Sequence, residues 1–181
     1  MSSFKKITAQ EIIEKLNLKP LPLEGGFFRQ TYKSDDDGIP AKRFGIESDS
    51  IRKISTAIYY LVTPDNFSAL HRVKSDEIFH FYCGDPVELI QLDQGGSVSY
   101  HAFGSDITAG QYPQLVVPKG VWQGLKIVNG GDWALMGTTV APGFEYEDFE
   151  LGDRVDLISK FPQHRDAIIK FTRDSSEGQR K

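Results

Sequence analysis

The sequence feature that most restricts the fold is a succession of short β-prone runs that follow one another at hairpin distances. The most pronounced run is residues 53–63 (KISTAIYYLVT), which are rich in β-branched and aromatic side chains. Glycine, proline and asparagine turns separate the runs, and no helical pattern lies between them. About ten such strands in one chain are typical of an antiparallel β-sandwich or a jelly-roll barrel. The sequence therefore predicts an all-β fold.

Short helices are predicted at both ends of this β-region. Thr8 and Glu11 form a capping-box pattern, which predicts an amphipathic helix over residues 9–16. Towards the other end, Asp153 has the residue type that begins helices, and it predicts a helix over residues 154–160. A proline in a first-turn position predicts another helix directly afterwards.

One domain over residues 1–173 accounts for the whole pattern. A chain of 181 residues with 39% hydrophobic residues is long enough to bury one proper core. Residues 174–181 are polar and predict a disordered tail. Residues 34–50 are polar and partly acidic, and they predict a long surface loop.

Charge and cysteine content narrow the class of protein. The net charge of −4 and the pI near 5.6 provide no basic surface for nucleic acid or an anionic membrane, so we expect neither as a partner. The single cysteine, Cys83, cannot form an internal disulfide. The sequence shows neither a signal-peptide pattern nor an apolar run of about 18 residues. We therefore expect a cytoplasmic protein that handles a small molecule.

The densest group of metal-ligating and acid–base side chains is His71, Glu77 and His80, within residues 68–84 (SALHRVKSDEIFHFYCG). The run after Ser75 is aromatic and predicts a buried strand. Because side chains alternate along a strand, Glu77 and His80 are expected on opposite faces. The two side chains are therefore not expected to converge on one site, and we expect His80 to be a packed, hydrogen-bonded histidine.

The spacing from His71 to Glu77 to Gly84 resembles the first motif of the cupin superfamily, whose usual form is His-x-His, a short spacer, Glu, six residues and Gly. Val73 stands where that motif has its second histidine. The run from Pro118 resembles the second motif, Pro-x-Gly-x-x-His, with Gln123 in place of the histidine. A cupin metal site usually takes three histidines and one glutamate, so two of the four implied ligands are replaced here.

A second resemblance lies in the early strand that follows a double glycine. It is similar to the strand of dTDP-4-dehydrorhamnose 3,5-epimerases that carries Arg-Gly-x-Phe-x-Glu-x-Tyr. Gly26, Phe28 and Tyr32 match this pattern, whereas Gly25 and Gln30 replace the arginine and the glutamate. The resemblance implies that this strand contacts a nucleotide-sugar.

Together these motifs resemble an uncharacterised cupin-like family of unknown function over roughly residues 8–160. This resemblance implies a double-stranded β-helix, the cupin jelly roll, that forms a homodimer and holds a pocket inside the barrel. The resemblance does not identify a reaction.

Three uses of the pocket are open. As a metal site, His71, Glu77 and Gln123 would hold one divalent ion, Mn, Fe, Ni or Zn, for a dioxygenase or lyase reaction. Such a site would be weak, since two imidazoles are replaced by valine and a neutral amide. The other two uses need no metal.

Acid–base catalysis is the second use, and the one that the sequence favours for an enzyme. Glu77 beside His71 would raise the pKa of the imidazole and make it a base near neutral pH. Tyr60 would return a proton from the opposite side. This is the chemistry of an epimerase or isomerase.

A binding module without turnover is the third use. Aromatic side chains of Phe28 or Trp122 would stack on a nucleotide-like or sugar-like ligand. Arg29 or Arg72 would take a phosphate, and Gln123 would bind polar groups. The predicted ligand in both metal-free cases is a small polar metabolite.

Overall fold

The computed structural model describes residues 7–173, so the predicted disordered tail at 174–181 lies outside the described residues. Three helices and thirteen strands are present in this part of the chain. The helices are α1 (Ala9–Leu16), α2 (Arg154–Lys160) and α3 (Arg165–Phe171). The strands are β1 (Lys19–Pro20), β2 (Phe27–Lys33), β3 (Ile39–Pro40), β4 (Ile51–Arg52), β5 (Thr56–Val62), β6 (Ser68–Arg72), β7 (Asp76–Gly84), β8 (Val87–Leu92), β9 (Val98–Phe103), β10 (Gln114–Val117), β11 (Trp122–Ile127), β12 (Ala134–Ala141) and β13 (Glu150–Leu151).

Two antiparallel sheets face each other across one core. The larger sheet has the order β1-β2-β5-β12-β7-β10, and the smaller has the order β13-β6-β11-β8-β9. Their inner faces meet in a cluster that joins Phe79 of the large sheet to Leu89, Phe103 and Leu125 of the small one. Side chains alternate along each strand, so every second residue enters this core. The predicted jelly roll is confirmed.

Both terminal helical regions were predicted and are confirmed. Thr8 caps α1, and the backbone N–H of Thr8 donates to the Glu11 carboxylate at 2.9 Å. The helix buries Ile12 with Trp133 against one end of the large sheet. At the other end of the chain, α2 and α3 cover the outer face of the small sheet and bury Phe171.

The predicted surface loop at 34–50 has internal order. It contains a 3₁₀ helix at Ala41–Phe44 and the small pairing of β3 with β4. Arg52, at the end of β4, is completely buried and donates two hydrogen bonds of 2.9 Å to the Asp148 carboxylate. This buried ion pair ties the loop to the segment after β12.

No helix within residues 7–173 is long and apolar enough to span a membrane.

Candidate functional site

A cavity of about 500 Å³ lies between the sheets. Its walls are inward side chains of the strands and two segments outside the ladders, residues 21–24 and 144–149, which we call the mouth segments. Most of the lining is apolar, and Glu24, Tyr60, His71 and Glu77 lie close together in it and form what we call the polar pole. The lining residues are Leu21, Pro22, Leu23, Glu24, Phe28, Gln30, Thr56, Ala57, Ile58, Tyr60, His71, Val73, Glu77, Phe79, Thr138, Val140, Phe144, Tyr146 and Phe149.

His71 is the base of the polar pole and is held in one orientation. Its Nδ1 lies 2.8 Å from the Ala69 carbonyl oxygen, which assigns the proton to Nδ1. The ring stacks on Phe149 with 5.4 Å between the centroids. In the neutral imidazole the free lone pair is therefore on Nε2, which lies 3.8 Å from Glu24 Oε2. This distance is too long for a direct hydrogen bond, and it leaves both atoms able to accept one.

Glu77 is buried beside His71, at the start of β7. Gln123 Nε2 donates to Glu77 Oε2 at 2.7 Å. Burial raises the pKa of the Glu77 carboxyl, and the charge of Glu24 raises it further, against the lowering effects of His71, Gln123 and Thr138. Glu77 is thus a carboxyl group whose neutral form is favoured by its surroundings.

Tyr60 projects from β5 into the same pole and is fully buried. Its hydroxyl donates to the Gly25 carbonyl oxygen at 2.8 Å. Burial raises the pKa of Tyr60 well above its ordinary value, and Glu24 contributes in the same direction. A Cβ on Gly26 would lie 2.6 Å from the Tyr60 ring, so only glycine fits this approach. The double glycine predicted as a turn therefore also makes room for Tyr60.

Glu24 is a residue of the polar pole that the sequence pattern did not identify. It lines the cavity from a mouth segment, and Ser68 Oγ donates to Glu24 Oε1 at 2.9 Å. Arg173 donates to the Glu24 carbonyl oxygen at 2.7 Å, which fixes the backbone. One feature of the sequence could have indicated Glu24: it directly precedes two glycines, where a sharp turn changes the direction of the chain.

Among the predicted ligand contacts, Phe28 lines the cavity, while Arg29 lies on the opposite face of β2. The Arg29 guanidinium lies 5.3 Å from the centre of the Tyr59 ring on the exposed side of the large sheet. Strand alternation explains the difference, because neighbouring residues point to opposite faces. Arg29 therefore contributes no positive charge to the cavity.

Arg72 and Trp122 also lie outside the cavity, for the same reason. Arg72 follows the inward His71 and forms two hydrogen bonds to Glu150, at 2.8 and 2.9 Å. Its guanidinium lies 4.5 Å from the centre of the Trp122 ring, which packs in the cluster beneath α2 and α3. These two residues stabilise the outer face of the small sheet.

Gln123 and His80 contact the site less directly. Gln123 is fully buried behind the lining and reaches the site only through Glu77. His80 points away from Glu77, as alternation predicts, and its ring nitrogens lie 3.3 Å from Thr139 Oγ1 and from Gln114 Nε2. His80 is therefore a half-buried, hydrogen-bonded side chain of the outer face.

The donor set does not fit the metal that cupin motifs imply. Val73 lines the cavity at the position of the second motif histidine, and it has no ligand atom. Gln123 directs its amide nitrogen, not its oxygen, at Glu77. Within residues 7–173, no group of three histidine, cysteine or carboxylate side chains is arranged to hold a metal ion. His71, Glu77 and Gln123, the predicted metal ligands, thus interact with one another: Gln123 donates a hydrogen bond to Glu77, and His71 interacts with Glu77 through charge.

A two-sheet jelly roll that brings together His71 and Glu77 of the first cupin motif and Gln123 of the second is the architecture of a cupin. A sequence model of the family described as "Cupin superfamily (DUF985)" matches residues 10–152. The chain belongs to this family.

One relative in sequence and two solved structures are similar to this chain over most of its length. The chain is 28% identical over 132 residues to the uncharacterized protein YML079W of Saccharomyces cerevisiae, a match that covers 69% of this chain and 66% of the yeast protein. A hypothetical protein from Leishmania major superposes with a TM-score of 0.83 at 29% identity and covers 93% of this chain and 100% of that one. Protein SO0799 from Shewanella oneidensis has a TM-score of 0.82 at 31% identity, over 92% and 98% of the two chains.

A more distant similarity concerns the fold alone. Oxalate decarboxylase from Bacillus subtilis superposes with a TM-score of 0.51 at 12% identity, over 86% of this chain and 37% of that one.

Proposed function

We propose that the protein binds a small molecule with an apolar body and a polar head, and that His71 exchanges a carbon-bound proton of this molecule close to that head. The observation that carries this proposal is the orientation of His71. Its Nδ1 is engaged by Ala69, so Nε2 is the basic atom, and it faces the cavity beside Glu24. A fixed base at the pole of a preformed cavity is what proton transfer next to a carbonyl requires.

The neighbours of His71 have complementary roles in this proposal. The raised pKa of Glu77 suits a group that returns a proton. Tyr60 was the predicted acid, but its hydroxyl hydrogen is directed at Gly25 and its pKa is raised. We therefore assign the acid to Glu77 and a positioning role to Tyr60. The reaction class is epimerisation, in which a C–H bond breaks and re-forms on the same carbon, or isomerisation, in which the new C–H bond forms on a neighbouring carbon.

The lining favours one kind of ligand over the nucleotide-sugar that the epimerase resemblance implies. Among the described lining residues there is neither arginine nor lysine, so a diphosphate would find no counter-charge. A cavity of about 500 Å³ is within the usual range for small-molecule sites. A small metabolite with hydrogen-bond donors at one end and an apolar remainder fits this lining.

The test is solvent-deuterium exchange into candidate metabolites, measured by mass spectrometry in D₂O. We expect wild-type protein to exchange a carbon-bound hydrogen of its ligand. His71→Asn retains a donor to Ala69 but lacks Nε2, and it should slow exchange by about 10²- to 10⁴-fold while binding persists.

His101→Gln is the matched control, because His101 is a β9 residue that does not line the cavity. Exchange that survives in His71→Asn would contradict the catalytic role. Binding without any exchange would leave a binding module. The homodimer implied by the cupin resemblance is a further part of the proposal, and light scattering of the purified protein measures it.

A further inference from the structure

We propose that the polar head of the ligand is a cationic amine, held between Glu24 and Glu77. This inference rests on the proposed function, because it specifies the ligand of the same cavity. It concerns the charge of the ligand, which neither the cupin motifs nor the similar proteins indicate.

The charge of the pole is the first argument. Glu24, His71 and Glu77 are the titratable acids and bases of the described lining besides two tyrosines. With His71 neutral, the Glu24 carboxylate leaves the pole negatively charged even when Glu77 is protonated, and ionisation of Glu77 would add to this charge. An anionic ligand would therefore meet like charge in a buried site, where such repulsion is strong. A cationic ligand would supply the missing charge.

Hydrogen-bond capacity is the second argument. An ammonium group has three donors and no acceptor, so it requires a site made of acceptors. Ser68 Oγ donates a hydrogen bond to Glu24 Oε1. The other oxygen of this carboxylate, Oε2, lies 3.8 Å from His71 Nε2. Glu77 accepts a hydrogen bond from Gln123 and also interacts with the Thr138 side chain, and its carboxyl group has further lone pairs in either protonation state. The pole is therefore rich in acceptors that an ammonium would satisfy.

The aromatic lining is the third argument. Ring faces attract cations through their quadrupole, and this attraction is stronger in a desolvated site than at an exposed one. The same rings provide a surface for an apolar body next to the amine. The aromatic lining residues are Phe28, Tyr60, Phe79, Phe144, Tyr146 and Phe149.

The competing interpretation is that Glu24 and His71 form a closed ion pair that needs no ligand. Two observations argue against it. The separation of 3.8 Å is longer than a charge-assisted hydrogen bond of about 2.7–2.9 Å. The Ala69 carbonyl also accounts for the Nδ1 proton without any charge on the ring. The gap between Glu24 and His71 is thus a place for a donor.

Calorimetry with three matched probes tests the charge of the head. Benzylamine, benzyl alcohol and benzoate share one aromatic body and differ in head charge. We expect benzylamine to bind at least about tenfold more tightly than benzyl alcohol, and benzoate to bind more weakly than both. In Glu24→Gln the advantage of the amine should fall to within about twofold of the alcohol. Glu14→Gln, an exposed change on α1, should leave the amine's affinity unchanged.

Val140→Phe locates the binding, because Val140 lines the cavity and a larger side chain would fill it. We expect this variant to lose binding of the amine while keeping a cooperative unfolding transition. Amine binding that persists in Val140→Phe would overturn the inference, since it would lie elsewhere. If benzyl alcohol or benzoate binds the wild type as tightly as benzylamine or more tightly, the inference of a cationic head is wrong. The proposed function of the cavity as a ligand site would still stand. If none of the probes binds at millimolar concentration, both the inference and the proposed cavity function fail.

Discussion

At the scale of single residues, the cavity departs from a metal site by two substitutions and gains a different chemistry from them. Valine at position 73 contributes only apolar surface, and Gln123 uses its amide to support Glu77. Burial raises the pKa of the Glu77 carboxyl above its ordinary value, against the lowering effect of the hydrogen bond from Gln123. A raised pKa at a cavity wall is a frequent property of functional acids and bases.

The raised pKa of Glu77 predicts how stability depends on pH. A carboxyl group with a folded-state pKa above 4.5 contributes stability at low pH, and this contribution is lost as the pH rises through the raised value. Glu77→Gln resembles the protonated form, so we expect it to have about the wild-type free energy of unfolding at pH 4 and a higher one at pH 8. Urea denaturation at both pH values measures this.

The exposed change Glu14→Gln is the control for this comparison, and it should track the wild type at both pH values. A Glu77→Gln variant that is less stable than the wild type at pH 8 would show that the ionised carboxylate stabilises the fold.

Strand alternation predicts from the sequence which side chains share a face of a strand. The same rule shows why several predicted ligand-binding residues lie outside the cavity. Once His71, Phe28 and Gln123 point inward, their neighbours Arg72, Arg29 and Trp122 must point outward, as the structure shows. Glu24 follows no periodic rule, because a turn through Gly25 at φ +98° brings it to the cavity. Its partner Ser68 is 44 positions away in sequence, and only the tertiary fold joins them.

At the scale of elements, the mouth segment at 144–149 depends on one buried arginine. Arg52 bonds to Asp148, and it also contacts Glu147 and Ser50. The sequence predicts a solvated loop at 34–50, and short-range patterns cannot show that Arg52 is buried against a segment so distant in the chain. Because Asp148 directly precedes Phe149, the Arg52–Asp148 pair also positions the Phe149 ring that stacks on His71.

Asp148→Ala tests this arrangement. Removing one partner of a buried ion pair leaves an uncompensated charge, which costs about 3–5 kcal/mol, and the remaining contact with Glu147 favours the lower end. We expect a loss of about 3 kcal/mol in the free energy of unfolding, measured in urea, together with weaker ligand binding.

Asp49→Ala is the matched control, because Asp49 pairs with Lys42 on the surface at 93% side-chain exposure. It should cost less than about 1 kcal/mol. Similar losses in the two variants would show that the Arg52 pair adds nothing beyond a surface contact.

At the scale of the whole molecule, the hydrophobic core extends beyond the region that the family match covers. The match ends at residue 152, yet α2 and α3 bury side chains against the outer face of the small sheet. Phe171 is fully buried there and packs with Leu70 and Trp122. The C-terminal helices are therefore part of the folding unit.

Phe171→Ala should lower the free energy of unfolding by about 3–5 kcal/mol, because it opens a cavity beneath the small sheet. Ile169→Ala, on the more exposed side of the same helix, should change it by about 0.5 kcal/mol. Urea denaturation of both variants provides the comparison, and a small effect of Phe171→Ala would show that α3 folds onto the sheet without stabilising it.

The mouth segments lie outside the strand ladders, and this position has an evolutionary consequence. Several of their side chains line the cavity, whereas the sheets are held by the backbone ladders and the core behind them. Mutations at positions of these segments outside the Arg52–Asp148 pair can therefore accumulate and alter ligand preference, while selection for folding conserves that pair and the sheets. Two descendants of one ancestral cupin can share their sheets and still diverge in what they recognise.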